Sequence, residues 1–227
     1  MLISEFLSRL ADLGIQSLDD VLPKYSDSQT TEEERNRIRE NISGLNSVGS
    51  IPFHLSAFTV NDFDLVHQSS LALGYIGSKR ATRPLLKILR QSQWWHSRMF
   101  AAAALMHLRD KRAIFRLIEV IENINEDERV RDEAAEALSV FIRKRPNRVI
   151  PALLHVADDV SDWVRWSVAF SLGHADDARV IPALERLAKD ETILPGGQVS
   201  IAAEANEALD NVRDRLQKRS RSPQRRP

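Results

Sequence analysis

The chain has 227 residues, with 32 basic and 32 acidic side chains, 43% hydrophobic and 6% aromatic residues, and no cysteine. The missing thiols exclude disulfides and thiolate metal sites, and the balance of apolar and charged residues suits a soluble all-helical chain, expected to be cytoplasmic. The apolar run at 99–106 is too short to span a bilayer, and charge at Glu5, Arg9 and Asp12 breaks up any signal-peptide core, so neither feature is expected.

In chain order, residues 1–30 read as an atypical amino-terminal helical cap, with its apolar pattern at 2–25. Residues 32–44 and the following Ile51-Pro52-Phe53 read as a degenerate first helix pair. A clearer unit follows, with a first helix over 65–76, a turn at Gly77-Ser78-Lys79-Arg80 and a second helix over 82–90. Its Ala72-Leu73-Gly74 returns as Ala104-Leu105, Ala137-Leu138, Ser171-Leu172-Gly173 and Ala208-Leu209, at spacings of 32, 33, 34 and 37 residues. Such periods belong to two-helix solenoid units, each burying its apolar face on its neighbours. The expectation is therefore an all-α fold, an α-solenoid of about five to six stacked helix pairs filling 31–217.

The leucines of this repeat should be buried between helices. The alanines before them, at 101–104, 134–135, 169 and 202–203, should let helices approach closely. Pro52, Pro84, Pro151 and Pro182 should each sit near the start of a second helix, where a missing N–H loses no helical partner. The second helices carry apolar pairs at helical spacing, for example Leu85/Leu86 with Ile88/Leu89. Residues 190–200, with Pro195-Gly196-Gly197, read as the longest loop, and 201–216 as a closing helix. Residues 218–227 carry five cations and no acid, which leaves 1–217 at a net charge of −5, and they should be disordered. A broad phosphate-binding surface is not expected on so acidic a body, so nucleic acid is a less favoured partner, through the basic tail.

Val130-Arg131-Asp132-Glu133-Ala134-Ala135-Glu136-Ala137-Leu138 and Val149-Ile150-Pro151-Ala152-Leu153-Leu154 resemble the HEAT-like repeat typified by phycobilisome lyases. So do Val164-Arg165, Ser171-Leu172-Gly173 and Val180-Ile181-Pro182-Ala183-Leu184. The resemblance implies a HEAT-like superhelix with a binding surface. It admits several functions: an adaptor, a bilin lyase or chromophore-handling subunit, or a glycosylase-like DNA reader. In the resembling family the arginine at positions 98, 131 and 165 joins an Asp/Arg ladder between repeats, which makes Asp110 and Asp176 its expected partners here.

No catalytic, cofactor or metal residues are expected. The His-Glu dipeptides that hold iron in deoxyhypusine hydroxylases of this repeat class are absent. The six histidines, His54, His67, His96, His107, His155 and His174, lack the i, i+4 pairing that sets two ligands on one helical face. Asp158-Asp159 and Asp176-Asp177 fall at helix ends, where aspartate caps.

The partner-binding expectation rests on the second helices, read as lining the concave side. Arg83, Lys87 and Arg116 fall between apolar positions and should form a small basic patch, while Glu119 and Glu185 make the following stretch acidic. Adjacent Trp94 and Trp95 cannot both point inward, so one should anchor a partner at the rim, as should Trp163. The expected function is a non-enzymatic protein-interaction scaffold, its partner a peptide segment or helix of mixed charge.

Overall fold

A computed structural model of the protein describes residues 1–197 and 199–221. The chain divides into two compact units, Met1–Asp110 and Lys111–Pro227. The first holds α1 (Ile3–Leu10), α2 (Leu18–Ser26), α3 (Glu32–Ile42), α4 (Ile51–Ala57), α5 (Phe63–Ile76), α6 (Thr82–Gln91) and α7 (Trp95–Leu108). The second holds α8 (Ile114–Glu122), α9 (Glu128–Leu138), α10 (Pro146–His155), α11 (Asp162–Leu172), α12 (Ile181–Leu187) and α13 (Ile201–Arg221). Among the described residues the one β feature is an antiparallel bridge between Ile193 and Ser200 in the loop before α13. The fold class is the all-α solenoid that the repeat period implies.

The amino-terminal cap is continuous with the first helix pairs. Phe6, Leu10, Val21 and Tyr25 share one core with Ile38, Ile42, Phe53 and Leu65. Tyr25 donates its hydroxyl to Asp62 at 2.7 Å and accepts from Arg39 at 2.9 Å. Asp62 uses its other oxygen to cap α5 at the Leu65 N–H, 2.8 Å away. One carboxylate thus fastens α2 and α3 to the start of α5.

Leu73, Leu105, Leu138 and Leu172 are all buried, as the repeat register requires. Gly77 ends α5 at φ +63°, and Arg109 ends α7 in the same left-handed region at φ 47°. Pro52, Pro84 and Pro182 lie in the first turns of α4, α6 and α12. Pro151 departs from the expectation. It sits inside α10, which begins five residues earlier at Pro146, and it is exposed. Ala203 departs too, being exposed, and the small-residue contact of α13 is made by Ala205 and Ala208.

Packing is closest between first helices. In the first unit the Ser70 hydroxyl on α5 donates to the Phe100 carbonyl on α7 at 2.9 Å. In the second, Ser171 on α11 reaches the Ala135 carbonyl on α9 at 2.8 Å, and a Cβ on Gly173 would stand 2.9 Å from the Ala208 Cβ of α13. A serine side chain reaches only across near-contact backbones. Second helices are bridged instead by arginine: Arg186 of α12 reaches Asp158, just past α10, at 3.2 Å, and Arg179 reaches Asn147 at 3.1 Å. Within the second unit, the second helices α10 and α12 are thus joined through long side chains where the first helices α9, α11 and α13 meet through small ones.

The closing helix extends past residue 216 to Arg221. Lys218 pairs with Asp214 at 2.6 Å, one helical turn away, and cations are favourable near a helix C-terminus, so 218–221 are helical where disorder was expected. Residues 222–227 of the expected basic tail lie outside the described residues.

Candidate functional site

In the first unit a groove of about 480 Å³ lies between the second helices α4 and α6. Leu55, Phe58, Pro84 and Ile88 give it an apolar floor, Trp94 closes one end, and Lys87, Gln91 and Gln93 rim it. The helical register of α6 explains this arrangement. Leu85 and Leu89 point into the core and are buried, so Arg83 and Lys87 are carried to solvent.

The two adjacent tryptophans part, as expected. Both are half-buried, but Trp94 precedes α7 and turns to the groove, its ring stacked on His96 with centroids 6.3 Å apart. Trp95 packs against Phe63 at 6.0 Å and His96 at 5.7 Å, on the side of α5. The sequence-derived set is thus brought together in part: Lys87 and Trp94 line one groove, Arg83 lies one turn from Lys87 on the same helix, and Trp95 serves packing.

The remaining residues belong to the second unit. Arg116 on α8 pairs with Glu119 at 2.5 Å, so its charge is taken up within the helix rather than added to a basic patch. Glu185 on α12 pairs with Arg213 of α13 at 2.8 Å. Trp163 is half-buried in the first turn of α11, three residues before Trp166, whose ring stacks on Phe170 at 5.7 Å.

The recurring arginines are structural. Arg131 is buried against Asp159, and Arg165 binds Asp190 at 2.8 Å and Asp162 at 2.7 Å. Asp159 and Asp190 take the ladder role expected of Asp176, which instead meets Arg215 at 3.1 Å and Arg143 at 3.5 Å. Asp110 is buried and accepts from the Thr82 hydroxyl at 3.1 Å. Buried His54 sits with Nε2 2.6 Å from the Leu45 carbonyl, and burial pushes its pKa down to about 4, so the neutral ring donates there.

The half-buried acids of α9 escaped the sequence reading. Burial pushes Asp132 up to about 7 and Glu133 up to about 8, with neighbouring Glu136 adding to both, while the Ser167 hydroxyl of α11 donates to Asp132 and opposes the shift. Glu204 on α13 is raised by burial and by Glu207 and Glu136. A signal was present in the repeat: Glu133 and Glu204 both lie four residues before the repeated alanine, at Ala137 and Ala208. Among the described residues, no group of three or more histidine or carboxylate side chains is placed to hold a metal ion, and no helix is long and apolar enough to cross a membrane.

Helix pairs stacked through repeated small and leucine positions, with grooves between second helices, define an α-solenoid repeat protein. HEAT repeats match at residues 57–139 and 115–194, more than half the chain, and the protein belongs to that family. It is similar in fold to two engineered proteins of known crystal structure. One is 19% identical with a TM-score of 0.55, over 87% of this chain and 98% of that one; the other is 17% identical with a TM-score of 0.51, over 94% and 97%. Human deoxyhypusine hydroxylase in complex with glycerol is 17% identical over 96% of this chain and 94% of that one, with a TM-score of 0.48. At such identities the likeness is one of fold alone. No curated protein matches the chain.

Proposed function

We propose that the protein is a non-enzymatic interaction scaffold that holds a peptide segment of a partner protein between α4 and α6. The observation that carries this reading is the composition of the groove: an apolar floor, an aromatic end wall at Trp94, and a cation and two amides on the rim. An apolar side chain of the partner would bury against Leu55 and Ile88, and an acidic side chain next to it would meet Lys87 and Arg83. Tryptophan at the edge of a desolvated pocket is the residue type that most often dominates such contacts.

The test is affinity capture from native lysate with mass spectrometry, comparing the unaltered protein with Trp94→Ala and with Arg83→Glu combined with Lys87→Glu. A protein held by the first and lost from both variants, all three melting alike, supports the reading. A partner retained at full affinity by both variants places binding on another face.

A further inference from the structure

A second groove of about 410 Å³ opens in the second unit and is lined by Lys111, Arg112, Ile114, Phe115, Arg145 and Arg148. A smaller hollow of about 250 Å³ adjoins it and shares Arg145 and Arg148, adding Lys144. Among the described residues no carboxylate pairs with Lys111, Lys144, Arg145 or Arg148. Phe115 stands beside these cations 62% exposed.

The position of the cations is what makes them informative. Lys111 and Arg112 lie in the turn that leads through Ala113 into α8, and Lys144 and Arg145 directly precede α10, whose N-cap residue is Arg145 itself with no side-chain cap. A helix N-terminus carries partial positive charge and unpaired N–H groups, so cations there oppose the helix where an aspartate or serine would support it. The same basic pair occurs earlier as Lys79-Arg80, so the arrangement follows the repeat rather than a single turn. An anion between the two helix starts would relieve the repulsion among these cations.

We propose that this groove is a second docking site, independent of the one between α4 and α6, and that its occupant is an acidic peptide segment with an apolar residue between its carboxylates. The carboxylates would meet Lys111, Lys144, Arg145 and Arg148, and the apolar residue would cover Phe115 and Ile114. The apolar half of the groove is what favours a peptide over a phosphate backbone, which would leave Phe115 uncovered. The charge is also local, confined to the turns before two helices, whereas a long polyanion needs a continuous basic track.

Fluorescence anisotropy on the full chain tests this with three probes: a labelled peptide of repeating Glu-Glu-Leu, its Gln-Gln-Leu counterpart, and oligothymidylate of equal charge. The acidic peptide should bind with an affinity that falls as salt rises, and the glutamine peptide should not. Arg145→Glu with Arg148→Glu should weaken the acidic peptide at least tenfold, and Lys111→Glu with Lys144→Glu should do so by an independent route. Phe115→Ala should weaken it severalfold without affecting oligothymidylate. The proposal is overturned if both charge reversals, shown to fold by circular dichroism, leave affinity within twofold. It is equally overturned if oligothymidylate binds more tightly than the acidic peptide, which would assign the groove to nucleic acid.

Discussion

A methyl group on Gly173 would lie 2.9 Å from the Ala208 Cβ and 3.1 Å from the Ala208 Cα, so α11 and α13 meet with almost no side chain between them. The contact sets the spacing of the close layer in the second unit. Gly173→Ala should force the helices apart and cost about 1–3 kcal/mol, read from urea denaturation. Unchanged stability would mean that α13 shifts freely and does not fix the layer.

Arg131 and Asp159 form an ion pair with both side chains nearly out of solvent, 4% and 5% exposed. Removing one partner leaves the other charged and buried. Asp159→Ala should therefore cost about 3–5 kcal/mol. The double variant Arg131→Met with Asp159→Leu should regain much of that loss, and an equal loss in both would show that the pair acts through geometry rather than charge.

The acids of α9 make a pH prediction whose sign is fixed. Asp132 and Glu133 have folded pKa values of about 7 and about 8, above those of the unfolded chain near 4. Their contribution to stability is fully present below pH 4. It is lost as pH rises, because the unfolded chain releases its protons first, and the loss is complete above about pH 8. Denaturation midpoints should fall across that window, and Glu133→Gln should flatten the fall and raise stability at pH 8 by about 2 kcal/mol. A profile for Glu133→Gln identical to that of the unaltered protein would place this side chain in water.

Much of the fold was legible in the sequence, and for identifiable reasons. Leucines at 73, 105, 138 and 172 repeat because each fills the same gap between helices, so period alone gave the helix pairs and their register. Trp94 and Trp95 part because α7 begins between them: Trp94 is its N-cap residue, with extended backbone, and Trp95 its first helical residue. What period cannot show is which distant carboxylate an arginine finds: Asp159, not Asp176, takes part in the ladder, because the ladder partner is set by how the pairs stack. The acids of α9 looked like a solvated face because nothing local to 128–138 shows that Ser167 of α11 and Glu204 of α13 come to lie beside them. Glu185 read as a free charge for the same reason, its partner Arg213 lying on α13, whereas the Arg116–Glu119 pair, three residues apart on α8, is local.

Arg109 carries the left-handed backbone that Gly77 carries one repeat earlier. An L-residue with a Cβ holds that conformation at a cost of about 1–2 kcal/mol, part of which glycine gives back through its freer unfolded chain. Arg109→Gly should stabilise the protein by about 0.5–1 kcal/mol in thermal or urea denaturation. Destabilisation would show that the exposed Arg109 side chain makes a contact worth more than the backbone strain.

The central claim is that a partner protein occupies the groove between α4 and α6. Hydrogen–deuterium exchange on the captured complex tests it most directly, because exchange reads protection segment by segment. The account predicts protection concentrated at residues 52–59 and 84–94, lost together with binding in Trp94→Ala. Protection confined to other segments, with these two exchanging as in the free protein, would contradict it.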